Sequence, residues 1–157
     1  MKSDSDILNF LNDPAAHKVL VTLGEDTVPH AVVKSSLQHE DGKVQYWELL
    51  ESSRSNRNMT DSLWFGRPVS ILLSLPDGQS WEIIVKIERA VVSGRLFGEH
   101  YIRVRRSFGD VDLATLWILH PTEIREQTLS VRLNEEAERH PYFLHIDRLA
   151  LNQEAVL

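Results

Sequence analysis

The 157-residue chain contains no cysteine. That removes a disulfide framework, thiol nucleophiles and zinc–thiolate sites from consideration, and it fits a reducing, cytoplasmic setting. No apolar run approaches the ~20 residues that a membrane-spanning helix needs. The opening stretch, MKSDSDILNF, is polar and acidic and does not read as a secretory signal. A basic surplus is also missing: 17 Lys and Arg stand against 23 Asp and Glu, a net charge of −6. A dedicated nucleic-acid binder needs the opposite balance, so any phosphate held here is held locally. There is no GxSxG elbow, P-loop or GxGxxG turn. The seven histidines (His17, His30, His39, His100, His120, His140, His145) lack the i, i+4 pairing with a glutamate that marks a helical zinc site, so no metal is expected.

What is present is an ordinary globular composition, 42% hydrophobic and 25% charged, in a length that favours one domain over residues 1–157 with a core of its own. Ser3, Asp4, Ser5 and Asp6 are cap candidates for a short helix over ILNFLN, stopped at Asp13-Pro14. KVLVTLGEDTVPHAVVKSSLQ reads as two strands rich in β-branched residues, joined by the turn GEDT. Asp41-Gly42 marks the next hairpin, with KVQYWELL as the third strand. NMTDSLWFG predicts a short helix ending at Gly66.

The clearest element flanks Pro76-Asp77-Gly78. Val69, Ile71, Leu73 and Leu75 alternate before the turn, and Trp81, Ile83, Val85 and Ile87 alternate after it. RLFGEHYIRVRRSF then reads as a helix, DLATLWILHPTEI as a long apolar strand ended by Pro121, and LNEEAERHP as a helix broken by Pro141. The chain from about 125 to 157 reads as a polar tail. With no βαβ alternation and no internal repeat, the prediction is a mainly β fold: an antiparallel β-barrel with a few helices.

One packet stands out. Ser52, Ser53, Arg54, Arg57 and Asn58 follow a strand without a carboxylate or a glycine among them. A strand end running into a helix start exposes free backbone N–H groups at the positive end of the helix dipole. Hydroxyls and two guanidiniums three residues apart would complete a phosphate-sized anion site. The same residues also describe a serine N-cap with two solvated arginines, and spacing alone leaves both readings open. Trp117, in LATLWIL, sits on a strand that is apolar on both faces. Core packing is its ordinary role; a flat ligand or a second protomer covering one face is the alternative. Val104-Arg105-Arg106 beside GDVD reads as a solvated turn.

Three stretches taken together, VLVTLGEDTVPHAVVKSSL, DGKVQYWELLESSRSNRNM and RPVSILLSLPDGQSWEIIVKIERAV, resemble the pyridoxamine 5′-phosphate oxidase-like, FMN-binding split-barrel superfamily. The match runs from about Val19 to Val92 and continues through DLATLWILHPTEI to Ile124. The resemblance implies an FMN phosphate held by Ser52, Ser53, Arg54 and Arg57, with Asn58 beside them. It implies that Val32, Val33, Lys34, Ser35 and Ser36 run along the flavin ring and ribityl chain. It also implies a homodimer with two flavins at the interface, which Trp117 and its strand would face.

The pattern departs in two places. Arg54-Ser55 replaces the Arg-Lys of the oxidases, so Arg57 or Lys34 must supply the second cation. The segment FLHIDRL, with His145 and Arg148, lies far downstream of Trp117, which argues against the vitamin-forming reaction. Three functions are then in competition: an FMN-dependent oxidoreductase acting on a small molecule, a non-enzymatic flavin binder that stores or senses the cofactor, and a haem-handling relative using His140 or His145. A compact phosphate site favours FMN over FAD or F420.

Overall fold

The computed structural model describes residues 2–141. Helix α1 (Asp4–Asn9) is closed by a capping box, in which the Ser3 side chain accepts from the Asp6 amide and the Asp6 side chain accepts from the Ser3 amide. A 3-10 turn, Phe10–Asn12, ends it before Asp13-Pro14. Strands β1 (His17–Leu23) and β2 (Pro29–Val33) form the first hairpin. The second expected strand does not continue to Gln38: Lys34–Leu37 make a turn closed by Leu37 N donating to Lys34 O, and a short β3 (Gln38–Glu40) pairs with β4 (Lys43–Glu48).

Helix α2 (Arg54–Phe65) follows and ends on Gly66 at φ +66, the left-handed C-cap position. The hairpin β5 (Val69–Ser74) and β6 (Ser80–Val91) forms with the alternation seen in the sequence. Helix α3 (Gly94–Phe108), strand β7 (Thr115–Glu126) and helix α4 (Leu129–Arg139) complete the described chain. His145 and Arg148 lie outside the described residues. No helix among the described residues is long and apolar enough to cross a membrane.

The seven strands form one sheet in the order β2-β1-β5-β6-β7-β4-β3, all neighbours antiparallel. The sheet curls into a half-barrel around Leu20, Tyr46, Ile71, Leu73, Ile83, Trp117 and Leu119, with Met59 of α2 and Leu11 completing the interior. Each fully buried side chain of this size contributes about 1.5–3 kcal/mol through removal from water. Pro121 does not end β7. The register skips from Ile84↔Glu123 to Val85↔Pro121, so Thr122 is extruded as a bulge. The pairing with β4 stops at Leu119, so the missing proline N–H falls where β7 has become an edge.

Strand β7 is buried on both faces, as its sequence suggested, but one protomer supplies both covers. Trp117 and Leu119 point into the half-barrel, while Leu116 and Ile118 pack with Val104 of α3 in a second cluster. The opposite situation holds on the outer face of β2-β1-β5. Val33, Val19 and Leu72 stand directly across from one another, with Ala31 and Val21 in the next row. Val33 and Leu72 are left 65% and 40% exposed there.

Candidate functional site

The packet Ser52–Asn58 is built around a helix start that lies earlier than NMTDSLWFG implied. Ser53 is the N-cap, its hydroxyl accepting from the Asn56 amide at 3.0 Å. The Ser53 carbonyl takes the Arg57 amide at 3.1 Å. The amides of Arg54 and Ser55 are first-turn donors with no intrahelical acceptor. Helical periodicity then divides the packet. Arg54 and Arg57 stand on the exposed side, whereas Ser55 and Asn58 are buried. Ser52 is exposed in the preceding turn.

Two asparagines fix this helix start to the barrel. The indole N–H of Trp117 donates to Asn56 Oδ1 at 3.0 Å, and Asn56 Nδ2 donates to the Glu51 carbonyl at 2.9 Å. Asn58 Nδ2 donates to Thr22 Oγ1 at 3.1 Å. Gly24 packs against Asn58 so closely that a Cβ there would collide with Asn58 Oδ1. Trp117 is 1% exposed within the core, so it steadies the first turn of α2 from behind and presents no ring to a ligand in this protomer.

A small polar hollow of about 230 Å³ opens in front of the arginines. The fold brings carboxylates into it that the linear packet lacks: Glu25 and Asp26 from the β1–β2 turn, and Asp61 from α2 itself. Asp26 Oδ2 accepts from Arg54 Nη2 at 2.9 Å.

The strand segment assigned to the flavin ring lines a separate cleft of about 380 Å³. Val33, Lys34, Ser35 and Ser36 form one wall; Trp47, Glu48, Leu49 and Leu50 form the other, with Phe108 and Val111 at its end. Val32 turns away and packs against the core. Ser36 Oγ accepts from the Trp47 amide at 3.0 Å, in the place of a strand partner. Lys34 Nζ is 2.8 Å from Glu48 Oε2, and Glu48 Oε1 accepts from the Leu50 amide at 3.2 Å. Ser53 N donates to the Leu50 carbonyl at 3.0 Å, so the cleft wall leads directly into the α2 N-terminus.

Three supporting residues had no local signal in the sequence. Lys18 is buried and donates to the carbonyls of Leu11, Ser35 and Leu37 at 3.0, 2.7 and 2.8 Å, which clamps the floor of the turn carrying Ser35 and Ser36. Burial holds its pKa below the usual lysine value, against a smaller opposing pull from Asp13. His100, 4% exposed on α3, accepts the Trp47 indole N–H on Nδ1 at 3.0 Å. Burial, with Arg103 beside it, lowers the His100 pKa; Glu40 and Glu99 offset part of that. Arg103 also lies over the Trp47 ring, 5.5 Å from its centre.

His140 ends α4 with Nε2 3.8 Å from Glu136, and no group of three or more metal-ligating side chains occurs among the described residues.

No family model and no curated protein matches the chain. Solved structures do. HupZ from Group A Streptococcus superposes with a TM-score of 0.65 at 14% identity, covering 82% of this chain and 96% of that one. An FMN-binding protein from Syntrophomonas wolfei subsp. wolfei gives 0.64 at 14% identity, covering 80% and 86%. HutZ, described as the haem storage protein of Vibrio cholerae, gives 0.52 at 16% identity, covering 80% and 96%. The class these likenesses define, together with the seven-stranded curled sheet, is the split-barrel fold of FMN-binding proteins. It is the fold the sequence resemblance implied.

Proposed function

We propose that the protein binds FMN and is a flavin-dependent oxidoreductase acting on a small molecule. One observation carries this reading: the cleft walled by Val33–Ser36 leads, through the Ser53–Leu50 hydrogen bond, to the exposed Arg54 and two free amides of the α2 N-terminus. An apolar-walled slot ending at charge-assisted donors suits a flat ring carrying a phosphate. In this assignment Ser52, Ser53, Arg54 and Arg57 face the phosphate, and Val33, Lys34, Ser35 and Ser36 face the ring and its chain. Val32 and Asn58 support those residues from the interior. FMN would supply hydride or electron transfer. The chain's own residues position the ring, exclude water and hold the phosphate.

The row Val33–Val19–Leu72, exposed at Val33 and Leu72, supports a homodimer through the outer face of β2-β1-β5, which brings a second copy against the same strand that walls the cleft. A cytoplasmic setting, consistent with the absence of cysteine, belongs to the same reading.

A second reading, flavin storage or sensing without turnover, is favoured by the cleft's own ionisable groups. Lys34 and Glu48 satisfy each other, so neither is presented to a substrate as acid or base. Both readings require the purified protein to retain FMN through desalting, to show the oxidised flavin bands, and to bleach with dithionite. Consumption of NADH or NADPH with an acceptor dye separates the first from the second. Haem handling on His140 or His145 ranks lower; it requires a Soret band on haem addition that His145→Ala abolishes. A colourless protein indifferent to FMN would remove both flavin readings.

A further inference from the structure

The hollow at Arg54 is not an empty anion cradle, because the fold has already placed an anion in it. We propose that Asp26 is an internal competitor for phosphate at Arg54, and that it limits how strongly the site favours a phosphorylated ligand over its unphosphorylated counterpart. The inference rests on the FMN reading for its ligand and shares Arg54 with it; the competing charge comes from the β1–β2 turn.

The Asp26 carboxylate is held by its own turn. Its Oδ1 accepts from the Val28 amide at 3.1 Å, which leaves Oδ2 for Arg54 Nη2 at 2.9 Å. The Thr27 amide closes the turn onto the Gly24 carbonyl at 3.1 Å, with Thr27 at φ +58, a region that β-branched residues seldom occupy. The turn is in turn docked on α2 through Gly24 packed on Asn58 and through the Asn58–Thr22 hydrogen bond. The carboxylate therefore stays opposite the helix start whether or not Arg54 engages it. Glu25 and Asp61 line the same hollow, so three carboxylates face two guanidiniums.

A phosphate arriving at Arg54 must either displace Asp26 from Nη2 or share the guanidinium with it, and in both cases it sits beside a negative charge. The Asp26–Arg54 pair is close to half exposed on both sides, the setting in which ion pairs are weak and exchangeable. Exchange is thus feasible, with a penalty that a ligand lacking phosphate does not meet.

The test compares FMN and riboflavin affinities of the full chain for wild type, Asp26→Asn and Asp26→Ser, at low and high ionic strength. Asn and Ser both keep a turn acceptor for the Val28 amide while removing the charge. Each substitution is expected to tighten FMN about three- to tenfold at low salt and to leave riboflavin unchanged. The gain should shrink as salt screens the exposed charges. Inorganic phosphate is the second probe, read by calorimetry, and it too should bind more tightly to both variants. Should neither flavin bind any form of the protein, the FMN reading fails, and the phosphate arm still decides the competitor. Unchanged or weaker FMN and phosphate binding in both variants would overturn the proposal and make Asp26 a residue that merely orients Arg54.

Discussion

Two ion pairs flank the proposed site, and they differ in nothing visible from their lengths. Lys34–Glu48 measures 2.8 Å and Arg54–Asp26 2.9 Å. Their surroundings set them apart. Lys34 and Glu48 are 14% and 1% exposed, while Arg54 and Asp26 are 47% and 43% exposed. A buried charge stripped of its partner has no water to turn to, so the first pair is fixed once the chain folds. The second is screened and dispensable, so a ligand can trade places with one of its members. Under the proposed FMN reading, the difference also bears on Arg54-Ser55, which stands where the oxidase pattern has Arg-Lys. Lys34 is already committed inside the cleft wall, which leaves Arg57 as the cation with room to assist Arg54.

The sharpest way to break this comparison is to cut each pair in turn. Lys34→Ala strands Glu48 and should cost about 3–5 kcal/mol of stability in urea unfolding. Arg54→Ala should cost less than about 1 kcal/mol in the same experiment. Equal losses would mean that exposure does not distinguish the pairs.

Association comes next. Leu72→Glu places like charges across any twofold through the β2-β1-β5 face and should weaken a dimer by several kcal/mol, read as monomer in analytical ultracentrifugation. An unchanged dimer would move the interface elsewhere.

Ligand affinity follows. Arg54→Ala removes a charge-assisted bond in a half-exposed setting, so FMN binding should fall about tenfold while riboflavin is unaffected. Equal losses for both flavins would make Arg54 structural.

The smallest effect expected concerns His100. Its folded pKa is lowered, so the unfolded chain protonates first as pH falls below the ordinary value of 6.5. Stability should therefore decline on acidification through that window. The decline should flatten in His100→Gln, which keeps an acceptor for the Trp47 indole.

Most of the barrel was legible because its signals are local. The alternation on either side of Pro76-Asp77-Gly78 and the caps at Ser3 and Gly66 each act over a few residues. The misjudged points are those where a distant partner decides. Pro121 looked like a strand end, yet β4 stops pairing at Leu119 and a bulge at Thr122 absorbs the proline. The apolar β7 suggested a second protomer, but α3 of the same chain covers its outer face. At the site, the free amides and the two arginines on one helical face could be read from the packet itself. Asp26 could not, because it reaches Arg54 from a turn 28 residues away and its own neighbourhood, GEDT, reads only as a turn. Lys18 was hidden for the same reason: three carbonyls from two separate segments make a lysine into a buried clamp.

The central claim is that a flavin phosphate is anchored at the α2 N-terminus. The most direct measurement is the visible spectrum of the purified protein after incubation with FMN or with riboflavin, followed by desalting. Flavin bands should be retained with FMN and largely lost with riboflavin. Loss of both would take the flavin away from this fold, and equal retention of both would move the phosphate away from Ser53 and Arg54.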